Sequence, residues 1–234
     1  MQAPGQTDNP LRAASWPMYR ALVGVGMLCG LLIVSVYVLT LPAITRNETR
    51  ALQQAVFQVL PGAVARTSFV LTAAGHFREA AEGDDPARMV HAGYTAEGQL
   101  AGIAIEGRAM GYQDVIRILY GYAPQQQVVV GMQVLASKET PGLGDRIEKD
   151  AGFRANFTAL DVTLAADGVS LEHPVEAVKN GTRTAPWQID GITGATISSS
   201  AVAGILNRSS AQWIPVIHQR QADFMRPEAT DDQR

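Results

Sequence analysis

The chain has 234 residues with a formal net charge of -3, and 47% of its residues are hydrophobic while 18% are charged. That composition excludes a disordered chain, the length allows one ordinary domain plus an appendage, and the lack of a Lys/Arg cluster gives no reason to expect nucleic-acid binding. Because Cys29 is the only cysteine, disulfides, Cys-x-x-Cys metal sites and iron–sulfur ligation are excluded within the chain, so any redox chemistry needs a cofactor held by other residues.

An uncharged, apolar run extends from residue 21 to residue 41, after a short polar tail at 1–20. Its length is about that of a helix that crosses a bilayer, so we predict a retained membrane anchor and a cytoplasmic tail. A cleaved signal peptide is the alternative, but Leu39-Thr40-Leu41-Pro42 offers no small-x-small cleavage site. Arginines flank the run on both sides and hardly discriminate its orientation. The short tail favours a large domain outside the cytoplasm.

Segment 42–66 is predicted to be a linker helix, which Pro61-Gly62 would end. A domain over 67–212 should follow, because short alternating segments are joined there by turn residues. The predicted strands are Ser68–Leu71, Val90–Tyr94, Gln99–Ile105, Val115–Tyr120 and Val128–Leu135, with a later hairpin of Thr158–Ala165 and Ser170–Leu171. Tandem strands predict an antiparallel sheet with flanking helices, an α+β fold. The last helix is expected to end near Asn207–Ser210, and 213–234 to be a loose tail.

The first of two informative stretches reads Lys-Glu-Thr-Pro-Gly-Leu-Gly-Asp, from Lys138 to Asp145. Its proline and two glycines predict a tight, exposed turn. Asp145 is placed to cap a helix through Ile147 and Lys149. Taken alone, the stretch is also typical of a simple strand-to-helix turn.

The second stretch reads Asp-Gly-Ile-Thr-Gly-Ala-Thr-Ile-Ser-Ser-Ser, from Asp190 to Ser200. It follows a strand-like segment and leads into a helical pattern, so a helix should begin inside it. Gly194 and Ala195 are small enough for a ligand to approach the backbone, and five hydroxyl side chains surround the predicted helix start. A helix N-terminus offers free N–H donors and a positive dipole end, which suit a phosphate. A Ser/Thr-rich N-cap is the alternative interpretation.

The pattern Asp-x-x-Thr-Gly-Ala-Thr resembles the flavinylation motif of the FMN-binding domain family, in which the last threonine carries FMN through a phosphoester bond. Glu-Thr-Pro-Gly-Leu-Gly resembles the other hallmark of the same family, and the two motifs stand in the family's order. With the anchor, the chain is most similar to the G-subunit branch, from the Rnf electron-transport complexes. The C subunit of the sodium-translocating NADH:quinone reductase shares both motifs and is the alternative.

The resemblance implies FMN esterified to Thr196 on the periplasmic side of the cell inner membrane, attached by a separate flavin transferase that uses FAD. It implies that the hydroxyls of Ser198 and Ser199 bond the phosphate, and that Glu139 tunes the flavin or braces its loop. The implied cofactor-binding residues are Thr196, Asp190, Thr193, Gly194, Ala195, Ser198, Ser199, Glu139, Thr140, Leu143, Gly144 and Lys179. Lys179 would approach the flavin or its phosphate.

The implied function is that of an electron-carrying flavoprotein subunit in a membrane complex that couples electron transfer between NADH and ferredoxin to ion translocation. Its partners would be the A, B, C, D and E subunits of the Rnf complex. Two alternatives are a flavin-free anchored binding or scaffold domain and a flavin reductase that acts alone. No catalytic side chain and no metal site are predicted, because the spacing of the histidines suits neither.

Overall fold

The structure is a computed structural model that describes residues 10–225, with side chains from residue 16 onward. The chain divides into two compact units after Arg50. Helix α1 (Pro10–Val59) begins in the first unit and ends in the second. The predicted tail at 1–20 is therefore helical from Pro10 onward, since proline is well tolerated in the first turn of a helix. Residues 1–9 lie outside the described part of the chain.

The predicted anchor lies within α1, where residues Trp16–Val59 form a helix long and apolar enough, by length and composition, to cross a membrane. An 18-residue window of this helix has a mean hydropathy of 2.5. The linker at 42–66 is not a separate helix, because α1 continues through Pro42. The predicted stop is confirmed: α1 ends at Val59, and Gly62 takes a positive φ of 85° that glycine tolerates best. The first strand begins at Ala65, inside the predicted linker.

An antiparallel sheet forms the body of the second unit, in the strand order β2-β1-β3-β4-β5-β6-β7. The strands are β1 (Ala65–Leu71), β2 (Phe77–Glu79), β3 (Met89–Tyr94), β4 (Leu100–Met110), β5 (Val115–Ala123), β6 (Val128–Ala136) and β7 (Leu160–Asp161), with a 3-10 helix at Pro86–Arg88. The two predicted hairpins, β3–β4 and β5–β6, are confirmed. The later hairpin is reduced to one bridge between Leu164 and Leu171, because β7 pairs with β6 instead.

The remaining elements include the long helix that packs on this sheet. They are α2 (Arg146–Lys149), α3 (Ala151–Ala155), a parallel pair of β8 (Glu176–Val178) and β9 (Gln188–Asp190), α4 (Thr196–Gln219) and a 3-10 helix at Gln221–Phe224. Apolar residues of α4, such as Val202 and Leu206, are buried in the main core with Ile105 and Tyr120 of the sheet. The α+β fold is thereby confirmed.

The end of α1 packs on the sheet in a second apolar cluster, where Val59 and Leu60 meet Ala104 and Leu119. Four strand glycines allow this close approach, since an added Cβ would meet Val59 or Leu60 at every one of them: Gly93, Gly102, Gly121 and Gly131. The last turns of α1 are therefore part of the domain core rather than a linker.

The prediction that the last helix ends near Asn207–Ser210 is wrong, because α4 continues to Gln219. Within its polar stretch Ser209 and Ser210 are buried, and the Tyr120 hydroxyl donates to Ser209 Oγ at 2.8 Å. The expected loose tail is also ordered at its start. Trp213 is buried in the core with Phe224, whose carbonyl accepts a hydrogen bond of 2.9 Å from the Tyr94 hydroxyl. Residues 226–234 of that tail lie outside the described residues.

Candidate functional site

The two informative loops meet in one cleft of about 310 Å³, which we call the motif cleft. It brings together predicted site residues from both loops: Glu139, Thr140, Leu143, Gly144, Gly194, Ala195, Thr196 and Ser198. Tyr112 and Ile197 complete its lining. The first loop joins β6 to α2, and the second joins β9 to α4. Two loops that lie far apart in the sequence therefore line the same cleft.

Thr196 is the first residue of α4, inside the stretch where a helix was predicted to begin, and its side chain is exposed. Gly194 takes a φ of 86°, and an added Cβ there would meet nothing within 4 Å, so the turn before the helix is open. Ala195 at the N-cap position supplies no side-chain acceptor for the first turn. The first N–H groups of a helix have no acceptor within it, and they carry the positive end of its dipole. An exposed hydroxyl and the positive end of a helix dipole thus occupy the same place.

Glu139 connects the two loops from beneath the cleft, with only 6% of its surface exposed. Its carboxylate accepts from the Ser198 hydroxyl, from the Tyr112 N–H at 3.2 Å and from the Gln113 N–H at 3.0 Å. Burial raises the pKa of Glu139, but the bonds from Ser198 and from backbone N–H groups outweigh it and hold the pKa below its ordinary value. Glu139 is therefore an ionised brace at neutral pH.

Gly144 packs directly against this brace. A Cβ at position 144 would lie 2.5 Å from Glu139 Oε2 and 2.8 Å from Ser198 Oγ. Any larger residue would push the two partners apart, which explains why the first loop has glycine here. Asp145 precedes α2 as predicted, but it does not cap that helix. Its carboxylate instead accepts from the Gly142 N–H at 2.6 Å and pairs with Lys149 at 2.7 Å.

The hydroxyls of Ser198 and Ser199, which were expected to bond a phosphate, have protein partners instead. Both side chains are buried. Ser198 donates to Glu139, while Ser199 donates to the Ala195 carbonyl at 2.6 Å and accepts from the Ile192 N–H at 3.1 Å. Polar groups placed this deep need such partners. The first-turn N–H groups of α4 are left as the donors best placed for an anion.

Besides the buried Ser199, three other predicted site residues do not line the motif cleft. Asp190 accepts from the Gly181 N–H at 2.9 Å, so its carboxylate closes the turn between β8 and β9. Lys179 is exposed beside that same turn. Thr193 is exposed as well, and its carbonyl accepts from Arg146 Nη1 at 2.9 Å. Their places fit support of the loop rather than contact with a ligand in the cleft.

Sequence reasoning missed the site roles of Tyr112, Ile197 and Arg146. With the predicted Leu143, the first two form an apolar rim, and the exposed fractions of Tyr112, Leu143 and Ile197 are 67%, 53% and 55%. Gly111 before Tyr112 was the available signal, since a Cβ there would lie 2.5 Å from Glu139 Oε1. Arg146 binds the carbonyl of the second loop described above and gave no signal of this in the sequence.

Comparison with known proteins identifies the family. The FMN-binding domain family matches residues 111–210, which include both loops of the motif cleft. The G subunit of the ion-translocating oxidoreductase complex of Vibrio vulnificus is 33% identical over 166 residues, which are 70% of this chain and 72% of that protein. The Vibrio cholerae G subunit is 33% identical over 183 residues, 73% of this chain and 77% of that protein. The chain belongs to the G-subunit family.

Other G subunits match over a shorter length. The relative from Methanosarcina acetivorans is 33% identical over 123 residues, so the chain spans 57% of that protein's length. Solved structures agree on the fold. NqrC of Shewanella oneidensis has a TM-score of 0.54 at 16% identity, covering 77% of this chain and 97% of that chain. The C subunit of the Na(+)-translocating NADH-quinone reductase of Parabacteroides distasonis has a TM-score of 0.56 at 18% identity, covering 74% and 95%.

The motif cleft of this G-subunit chain fits FMN. Its volume of about 310 Å³ is at the lower end of ligand sites, about 300–1,000 Å³, as expected for a cofactor that stays partly exposed. The N-terminus of α4, which begins at Thr196, suits the phosphate. The apolar rim of the cleft suits the aromatic ring system. The residues present therefore suit both halves of the cofactor.

Proposed function

We propose that this chain is the electron-carrying flavoprotein subunit of a membrane complex that couples electron transfer between NADH and ferredoxin to ion translocation. FMN is bound covalently, through a phosphoester to Thr196. The observation that carries the proposal is the meeting of the two loops in the motif cleft, with the exposed Thr196 hydroxyl at the start of α4. The reaction class comes from the names of related G subunits, one of which, from Acetobacterium woodii, belongs to a Na(+)-translocating ferredoxin:NAD(+) oxidoreductase complex.

Each part of the cleft has a task in this proposal. A separate flavin transferase carries out the attachment. The Thr196 hydroxyl loses its proton and bonds to the phosphorus on the riboflavin side of FAD, and AMP leaves. Gly194 leaves room for the phosphate, and the first-turn N–H groups of α4 bind its oxygens. Bound FMN supplies reversible electron uptake, while the protein supplies placement and electrostatics. Glu139 joins the two loops through its hydrogen bond from Ser198, and it keeps a negative charge beneath the cleft.

The proposed location is the bacterial inner membrane, with α1 as a single span and the flavin domain in the periplasm. The length and apolar composition of α1 support the membrane attachment. The proposed partners are the A, B, C, D and E subunits of the Rnf complex, because the related proteins are named as subunits of oxidoreductase complexes. The covalent bond suits this role, since a tethered flavin cannot diffuse away when its redox state changes.

The test is the covalent flavin itself. Full-length protein from cells that contain the transferase should fluoresce under ultraviolet light on a denaturing gel, and its intact mass should exceed the polypeptide mass by one esterified FMN. Thr196→Ala should abolish both signals, and Thr196→Ser should keep a hydroxyl for attachment. Ser200→Ala is the matched control, because its hydroxyl is also exposed but lies outside the cleft and outside the seven-residue motif.

A bare polypeptide mass from the native host would refute the proposal and would favour a flavin-free scaffold domain. Flavin that is retained in the Thr196→Ala protein would place the attachment elsewhere. The likeness to NqrC structures shows the fold alone, so no observation favours membership of the quinone reductase.

A further inference from the structure

A second cleft, of about 500 Å³, opens where the sheet splits between β3 and β4. The pairing between these strands ends at His91 and Ala104. Strand β3 nevertheless continues to Met89, paired with β1, and β4 continues to Met110, paired with β5. In the described part of the chain, Glu106–Met110 therefore pair on one side only. They present a short open strand edge, which is a template for another strand.

This second cleft, which we call the arginine cleft, carries an excess of positive charge. Arg108 and Arg117 lie directly opposite each other on β4 and β5, an arrangement that repels unless an anion lies nearby. Glu106 pairs with Arg117 at 2.9 Å and is the only acidic residue among the described residues of the lining. Arg208 lines the cleft from α4. Within residues 16–225, neither Arg108 nor Arg208 forms an ion pair, and both are exposed.

The cleft also has an apolar floor close to the strand edge. Met89, Ile205 and Trp213 line it together with the polar Gln212. Gly107 lies so near α4 that an added Cβ would overlap Ile205. The edge of β4 thus runs along the bottom of a groove, with side chains of the sheet on one side and side chains of α4 on the other.

We propose that the arginine cleft binds an extended acidic segment of a partner protein, which adds a strand to the open edge of β4. Main-chain bonds to Glu106–Met110 give such a complex its register, and five residues span about 17 Å. Side chains of an added strand alternate between two faces. Acidic groups on one face meet Arg108 and Arg117, and those on the other meet Arg208. Arginines on both sides of one open strand edge therefore favour an acidic segment in extended conformation.

Two other readings of the cleft make different predictions. Arginines at a strand edge can serve only to prevent pairing between copies of a chain, in which case nothing binds there. An anionic lipid headgroup could bind the arginines but would not use the strand edge. The test must therefore identify the chemistry of what lies in the cleft.

The test is site-specific photo-cross-linking of the full-length chain in membranes of its native host. A photoreactive phenylalanine replaces Gln212 in the arginine cleft. A matched variant carries it at Gln126, another exposed glutamine, in the turn between β5 and β6. Mass spectrometry of the adducts identifies the captured segment. The expected result is one protein segment from position 212, rich in Asp and Glu and free of internal proline, that position 126 does not capture.

Charge reversal then tests the recognition. Arg108→Glu combined with Arg208→Glu should lower the cross-linking yield about tenfold, because attraction across the groove becomes repulsion. Arg154→Glu, an exposed change on α3, should leave the yield within about twofold. Resistance to limited proteolysis reports that each variant is still folded. Adducts with lipid or a second copy of this chain, no adduct beyond that of position 126, or an unchanged yield after charge reversal would each overturn the proposal.

Discussion

The hydrogen bond from Ser198 to Glu139 should hold the two loops of the motif cleft together, and Ser198→Ala removes it. The bond joins a buried hydroxyl to a buried carboxylate. Hydrogen bonds to charged groups contribute about 1.5–3 kcal/mol. The Tyr112 and Gln113 N–H groups still bind the carboxylate in the variant. The charged carboxylate therefore keeps two of its hydrogen-bond donors. We expect the free energy of unfolding to fall by about 2 kcal/mol, within that range.

Urea titration of the full-length chain in detergent micelles measures this loss. Ser200→Ala is the control on the same helix, because Ser200 is exposed, and its effect should stay within about 0.5 kcal/mol. A double-mutant cycle with Glu139→Gln isolates the coupling between the two residues. The pKa of Glu139 should also rise in the Ser198 variant, since burial remains while one bond that lowers it is gone. A Ser198→Ala protein as stable as the Ser200 control would refute the role of the bond as a brace.

Three further predictions concern the packing and charge described above, each measured by unfolding of the full-length chain. Gly144→Ala should destabilise by about 1–3 kcal/mol because its Cβ displaces Glu139, whereas Gly204→Ala, inside α4, should be neutral or stabilising. The pKa of Glu139 lies below its ordinary 4.5, so the stability that the ionised carboxylate contributes is complete above that pH and is lost as the pH falls through the lowered pKa. Glu139→Gln should abolish this part of the loss of stability in acid. An unchanged dependence of the free energy of unfolding on acidic pH would contradict the prediction. Leu60, which directly follows α1, is buried on the sheet, and Leu60→Ala should cost about 2–5 kcal/mol by opening a cavity. A loss no larger than that of the exposed Val64→Ala would show that this junction does not belong to the core.

Local patterns predicted the parts of the fold that depend on local physics. An uninterrupted apolar run indicated the helix that contains 21–41, and alternating residues around turns indicated the hairpins β3–β4 and β5–β6. Small and hydroxyl-bearing residues before a helical pattern predicted that a helix begins within Asp190–Ser200, and α4 starts there at Thr196. The end of α4 was not predictable, since Asn207-Arg208-Ser209-Ser210 has the composition of a helix end. The Ser209 hydroxyl finds its partner on the sheet, which no local pattern contains.

The site divides in the same way. Family resemblance and residue type were enough to select Thr196, Gly194 and the first loop. They were not enough to show that Ser198 binds Glu139, or that Tyr112 and Ile197 form part of the rim of the cleft. The side chains of Ser198 and Ser200 are chemically identical, and only their positions on α4 make one a buried partner and the other an exposed control.

By itself, the sequence determined an apolar helix, an antiparallel sheet and two loops whose residue types suit a flavin phosphate. The tertiary structure alone decided which hydroxyls remain open to a ligand, which carboxylate joins the loops, and where the sheet splits to expose arginines beside an unpaired edge. The reason is that burial and hydrogen-bond partnership depend on how distant segments pack, whereas helix and strand periodicity is set by neighbours along the chain.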